Sequence, residues 1–126
     1  MQAKRVGTKR AYGMKGNAVI VPNAAVFLAA GLAVAHAAAT PADTFVGVAT
    51  LGADATGQAD GVERIEVDTT EIKFANAGDV TAAHIGATAY FASASTLSAD
   101  SATNTRTPAG VITQVDDDGV WTKTGV

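Results

Sequence analysis

Cysteine is absent from this chain, which excludes disulfides and thiolate metal sites and leaves the redox compartment unreadable. No acidic residue precedes Asp43. Proline occurs three times and tryptophan once. Bulky apolar residues are scarce as well: 28 residues are alanine, and only 27 are Leu, Ile, Val or Phe. At about 25 cal/mol per Å² of apolar area removed from water, an alanine-rich core is stabilised less than a leucine-rich one of equal length. Burial completed by a partner, or by copies of the chain itself, is therefore expected. No run reaches the ~20 apolar residues of a spanning helix, because Pro22-Asn23 and His36 break the apolar stretch around Ala24 to Ala39.

What the chain does have is a charge split. Lys4, Arg5, Lys9, Arg10 and Lys15 give the first sixteen residues a charge of +5 without one acid, and the remainder carries four bases against twelve acids, or −8. A cationic leader too polar to build a core either stays solvated or lies on an acidic surface. The expected organisation is a basic N-terminal arm over 1–16 and a single β domain over 17–126, since this length suits one domain with one small core.

Gly16 to Ala42 holds no Asp, Glu, Lys or Arg. Basic residues, an apolar run and then Ala35-His36-Ala37 outline a secretory signal, so the alternative reading is a secreted or surface β-domain adhesion module with residues 1–39 as its signal peptide. Buried strands are the other account of the same run.

Turn residues recur along the whole chain, at Pro22-Asn23, Gly31, Gly52, Asp60-Gly61, Gly78-Asp79, Gly86, Pro108 and Asp118-Gly119 among others. Such spacing suits strands better than helices. Between the turns, Glu63, Ile65 and Val67 alternate with Val62, Arg64 and Glu66, and Ile72 and Phe74 share a face. Phe45 to Leu51, Ala109 to Val115 and Gly119 to Thr122 read as further half-buried strands. Asp79 is placed to cap one helical turn through Thr81 to His84. Ala53 to Gly61 reads as an exposed loop, Ser93 to Thr107 leaves room for an edge strand at Thr96-Leu97, and no repeat of fixed period is visible. The fold class is mainly β: a small antiparallel β-barrel or β-sandwich with one short helical turn and an extended N-terminal arm.

Catalytic chemistry finds little support. His36 and His84 are the only imidazoles, and His84 reads as a local hydrogen-bonding group. No serine stands in a Gly-x-Ser-x-Gly turn. Asp116-Asp117-Asp118-Gly119 lacks the alternate spacing of a calcium loop and reads as a hairpin turn. The glycines from Gly52 to Gly61 lack the Lys-Ser/Thr of a phosphate loop. Tyr12 among bases could stack on a nucleobase, but the acidic body would repel phosphate. The expectations are no enzyme, no metal, no cofactor, no nucleic acid and no membrane.

An ordered set of phrases then carries a resemblance. These are Phe45-Val46-Gly47-Val48-Ala49, the Gly57-Gln58-Ala59-Asp60-Gly61 turn, Ile65-Glu66-Val67, Ile72-Lys73-Phe74, Asp79 to Gly86, Ala89-Tyr90-Phe91, Ala109-Gly110-Val111-Ile112 and Asp118-Gly119-Val120-Trp121. From about Gly16 to Trp121 the chain resembles the small decoration, or cement, proteins of tailed-bacteriophage heads. The resemblance implies a small β-barrel or β-sandwich without enzymatic activity that binds the outer surface of the major capsid protein shell, usually as a homotrimer or homodimer. On that reading Lys4, Arg5, Lys9, Arg10, Tyr12 and Lys15 clasp a neighbouring subunit.

Overall fold

The computed structural model describes residues 7–126. The first half holds β1 (Lys9–Gly13), β2 (Val19–Ile20), β3 (Ala25–Ala29), β4 (Leu32–Val34), β5 (Thr44–Ala49), β6 (Ala53–Asp54) and β7 (Arg64–Asp68). The second holds β8 (Glu71–Asn76), β9 (Thr88–Ser93), β10 (Thr96–Ser98), β11 (Pro108–Asp116) and β12 (Gly119–Lys123). Five strands of the first half form a sheet in the order β1-β7-β5-β3-β4, with β2 paired to β6 beside it. The second half is a closed barrel, β10-β8-β12-β11-β9, antiparallel except at β8–β10. The mainly β class with a small barrel is therefore what the alternation predicts. The helical turn is also present, over Ala82–His84, but its cap is Thr81, not Asp79; Asp79 accepts the hydroxyl of Ser98 at 2.6 Å instead.

The two halves are one motif used twice, where no repeat was expected. Matching β1, β3, β4, β5 and β7 to β8, β9, β10, β11 and β12 reproduces the strand order. It also reproduces the register: Tyr12 opposite Ile65 corresponds to Phe74 opposite Val120, and Val48 opposite Asp68 to Val111 opposite Lys123. Even the linking hydrogen bonds recur. Thr69 N donates to Thr8 O at 2.8 Å as Thr124 N does to Thr70 O at 3.0 Å, and Asn23 N donates to Ala49 O as Gly86 N does to Ile112 O, both at 2.8 Å. Each repeat closes through a parallel contact, a lone Met14–Ala33 bridge in the first and two successive pairs between β8 and β10 in the second. Thr96-Leu97 is consequently not an edge: β10 pairs on both sides, and Leu97 is fully buried.

Two apolar clusters result, where one core was expected. Met14, Ile20, Val26, Ala33, Val46, Ala49, Ala55, Ile65 and Val67 fill the first repeat. Ala25, Phe27, Val34 and Phe45, on the opposite face of the same strands, join Phe74, Phe91, Leu97, Ile112 and Val120 of the second. Strands buried on both faces read as continuous apolar runs, which accounts for Ala24 to Ala39. Cleavage after Ala37 to Ala39 would remove β1 through β4 and part of both clusters. Ala55, within the expected loop, follows β6 and is fully buried in the first cluster.

The repeats supply controls for one another. Thr122 is fully buried, and its hydroxyl finds no partner. The matching position in the first repeat is Val67, likewise fully buried. An unpaired hydroxyl in an apolar interior costs about 1–3 kcal/mol, so Thr122→Val is expected to raise stability by about 1 kcal/mol, read as a higher urea midpoint with unchanged slope.

Candidate partner-binding surface

Among the described basic residues expected in the arm, Lys9 and Lys15 meet acids of the chain's own body, and Arg10 meets backbone carbonyls. Lys4 and Arg5 lie outside the described residues. Lys9 begins β1, and its ammonium meets Asp68 at 2.5 Å, where Thr8 Oγ1 also donates at 2.8 Å. Lys15 stands 3.6 Å from Asp60, which accepts the backbone N–H of Gly16 at 2.8 Å. Tyr12 packs against the first cluster and Met14 is fully buried. The arm boundary at residue 16 is therefore displaced: Lys9–Gly13 is a paired strand of the sheet. Its attraction to acid is satisfied within the chain, at Asp68 and Asp60, which lie too far along the sequence for any local pattern to show.

These contacts set the titration of the acids. The Lys9 ammonium, then the Thr8 hydroxyl, hold the Asp68 carboxyl below the usual range. For Asp60 the Gly16 N–H acts first and Lys15 after it.

The outward edge of β1 is blunted by guanidinium groups. Thr8 O and Met14 N both bond toward β7, so along an antiparallel ladder the even-numbered residues between them face β7 and the odd-numbered ones face away. Arg10 donates to the outward carbonyl of Lys9 at 3.0 Å and to Gly7 O at 3.3 Å, and Arg64 donates to that of Ala11 at 3.3 Å. Occupied carbonyls of this kind discourage unplanned strand pairing.

The candidates for chemistry stay apart. His84 Nδ1 accepts the Thr81 N–H at 2.9 Å, a local cap as its sequence position suggests. His36 lies against Phe27 and Phe91, with ring centroids 5.8 and 6.0 Å away, and burial lowers its pKa. Asp117 and Asp118 form the turn between β11 and β12. Asp116 accepts the Gln114 amide at 2.7 Å and the Trp121 indole N–H at 2.9 Å, which with Lys73 hold its carboxyl low. Asp118 pairs with Lys73 at 2.6 Å. Among the described residues no group of three or more His, Asp or Glu is arranged to hold a metal ion, and no helix is long and apolar enough to cross a membrane.

Two apolar surfaces were not singled out from sequence. Val19, Val21 and Leu51, at 50, 61 and 76% exposure, lie on or beside the β2–β6 pair, which the second repeat lacks. Gly52 lets these segments approach, since a side chain there would meet Ile20 O at 2.7 Å. The other surface comprises Ile85, Pro108 and Val111 on the second repeat, all exposed. The available signal was the alternation of Val19 and Val21 about buried Ile20. Comparison with family models, curated proteins and solved structures returns no match.

Proposed function

We propose that this chain is a head decoration protein of a tailed bacteriophage, binding the outer surface of the major capsid protein shell and stabilising the head by attachment alone. The observation that carries the reading is the ordered series of strand and turn phrases between Gly16 and Trp121. Two features support it: a small closed barrel packed on a five-stranded sheet of the same strand order, and the exposed apolar residues Val19, Val21 and Leu51 on or beside an element added to only one repeat. Many copies on one shell turn weak single contacts into strong collective binding.

The clasp takes a narrower form than the sequence suggested. Lys9 and Lys15 are paired to Asp68 and Asp60, and Tyr12 is packed, so in this reading Arg10 and the segment ahead of Gly7, with Lys4 and Arg5, contact the neighbouring subunit. Removing Met1 to Lys15 would delete β1 and Met14 and unfold the first repeat. Deleting Met1 to Val6 is the clean test.

Co-sedimentation with undecorated heads of its own phage should show saturable, stoichiometric binding by the full chain. Leu51→Asp should weaken that binding about tenfold or more, the loss expected for one desolvated apolar anchor. Deletion of Met1 to Val6 should weaken it most at low salt, because exposed charge contacts are screened by salt. Failure of the full chain to sediment with those heads overturns the reading.

A further inference from the structure

The β2–β6 pair, which the second repeat lacks, leaves a cavity beside β7. Thr50 N donates to Glu66 O at 3.1 Å, and beyond that bond the chain leaves β7 to pair with β2 at Ala53 and Asp54. It returns only at the start of β7, Arg64. The parting opens a cavity of about 370 Å³ between the segment Thr50 to Asp54 and the segment Glu63 to Glu66. In the second repeat β11 stays paired with β12 up to a turn of two residues, Asp117 and Asp118.

Three acidic residues line this cavity, Asp54, Glu63 and Glu66. The one basic residue among its lining is Arg64, and its guanidinium donates to Ala11 O at 3.3 Å, across β1 and on the far side of β7 from β6. Two of the acids are fixed in place: the Thr50 hydroxyl donates to Glu66 Oε1 at 2.9 Å, and Asp54 accepts the Thr56 N–H at 2.8 Å. Among the described residues no three acids converge closely enough to hold a metal ion. Separated carboxylates suit a spread cation, and a guanidinium carries five N–H donors in a fixed fork. Leu51 stands at the cavity with 76% of its surface exposed, and Val62, next to Glu63 in the chain, with 62%.

We infer that the cavity between β6 and β7 is a socket for an arginine side chain of the partner protein, whose neighbouring apolar residues cover Leu51 and Val62. Charge complementarity names the occupant: three acids against one basic residue turned away leave the socket negative. Apolar cover would exclude the water that weakens such a pair. The outward edge of β1 carries the guanidinium groups of Arg10 and Arg64, so an incoming cation is repelled from that side of the repeat and steered to the socket. The inference rests on the reading above for the identity of the partner, a capsid subunit, and not for the chemistry of the socket.

Titration of the isotope-labelled full chain with the peptide acetyl-Leu-Arg-Leu-amide, followed by NMR, tests it. Amide signals of Leu51 to Asp54 and Glu63 to Glu66 should shift, and those of the second repeat should stay. The citrulline peptide, which keeps the shape without the charge, should bind about tenfold more weakly, the loss expected of one charged hydrogen-bonded contact. Glu63→Gln with Glu66→Gln should have the same effect on the arginine peptide and should weaken sedimentation with undecorated heads. Glu66→Gln alone serves if the pair unfolds. Glu71→Gln with Asp117→Asn, an equal change of net charge in the second repeat, should do neither. Shifts away from the socket, equal binding of the two peptides, or unchanged binding to heads that the full chain does decorate overturns the inference and leaves the decoration reading standing. If the full chain does not bind heads, the decoration reading falls and the peptide titration alone decides the socket. Tighter binding there by a peptide of this chain's own Met1 to Val6 would make the occupant a second copy, and would overturn the inference as well.

Discussion

Gly110→Ala is expected to cost at least ~3 kcal/mol and to leave the second repeat unfolded at room temperature under mild denaturant. Gly110 has φ of +105° at the register shift between β9 and β11, a region that L side chains occupy only with strain of about 1–3 kcal/mol. A β-carbon there would press on the carbonyl oxygen of Lys123, well inside van der Waals contact. That oxygen is backbone in a paired strand and cannot swing aside. Gly47 is the same position in the first repeat, with φ of +141° and its β-carbon aimed at the carbonyl of Asp68. Gly47→Ala should therefore do to the first repeat what Gly110→Ala does to the second. Gly31 separates the two costs: its φ is +84° with open space around it, so Gly31→Ala should show the conformational cost alone, about 1–2 kcal/mol. Urea midpoints of the three variants give the comparison. Equal losses at Gly31 and Gly110 would mean that the close approach to Lys123 contributes nothing.

The same two glycines show why the repeat was hidden. Thr44-Phe45-Val46-Gly47-Val48-Ala49-Thr50 and Thr107-Pro108-Ala109-Gly110-Val111-Ile112-Thr113 share Thr, Gly, Val and Thr at matching places, and of these the backbone requires the glycine, at positive φ in both copies. Among the intervening positions, Phe45 packs into the joint between the repeats where exposed Pro108 stands in the second copy, while Val46 and Ala109, like Ala49 and Ile112, are buried in both. The offset also drifts, from 62 residues between Tyr12 and Phe74 to 55 between Ile65 and Val120, because the first repeat carries the extra β6 and its loop. A search at one period fails on such a pair. Individual strands were legible, since Ile65 and Val67 or Ile72 and Phe74 declare their buried face by alternation alone. The fate of the basic leader was not, because Lys9 finds Asp68 and Lys15 finds Asp60 only after β1 has crossed to β7. Alternation also shows one buried face per strand; β3 and its neighbour β4, apolar at every position, hinted that a second core lay behind them.

Phe27→Ala should have the second large effect, and it differs in kind from the loss of an interior side chain. Truncating a fully buried phenylalanine costs about 3–5 kcal/mol. Phe27 belongs to β3 of the first repeat by chain and to the second cluster by packing, where its ring meets Phe45, Phe91 and His36. Removing it therefore weakens the bond between repeats more than either repeat. The unaltered chain is expected to unfold in one transition, because neither repeat buries its apolar face without the other. Phe27→Ala should split that transition or broaden it, with a lower apparent urea slope, while Ile65→Ala, whose side chain lies wholly inside the first cluster, should lower the midpoint and shift both repeats together. Amide hydrogen exchange distinguishes the cases residue by residue: protection in β8 to β12 should outlast protection in β1 to β7 in the Phe27 variant alone. Retention of a single sharp transition in Phe27→Ala would place the coupling elsewhere, in the Thr69 and Thr124 hydroxyls that meet at 2.6 Å where the two repeats join along the chain. The aromatic joint is the stronger candidate, because one exchangeable hydroxyl contact contributes about 1 kcal/mol, against several for the rings that surround Phe91.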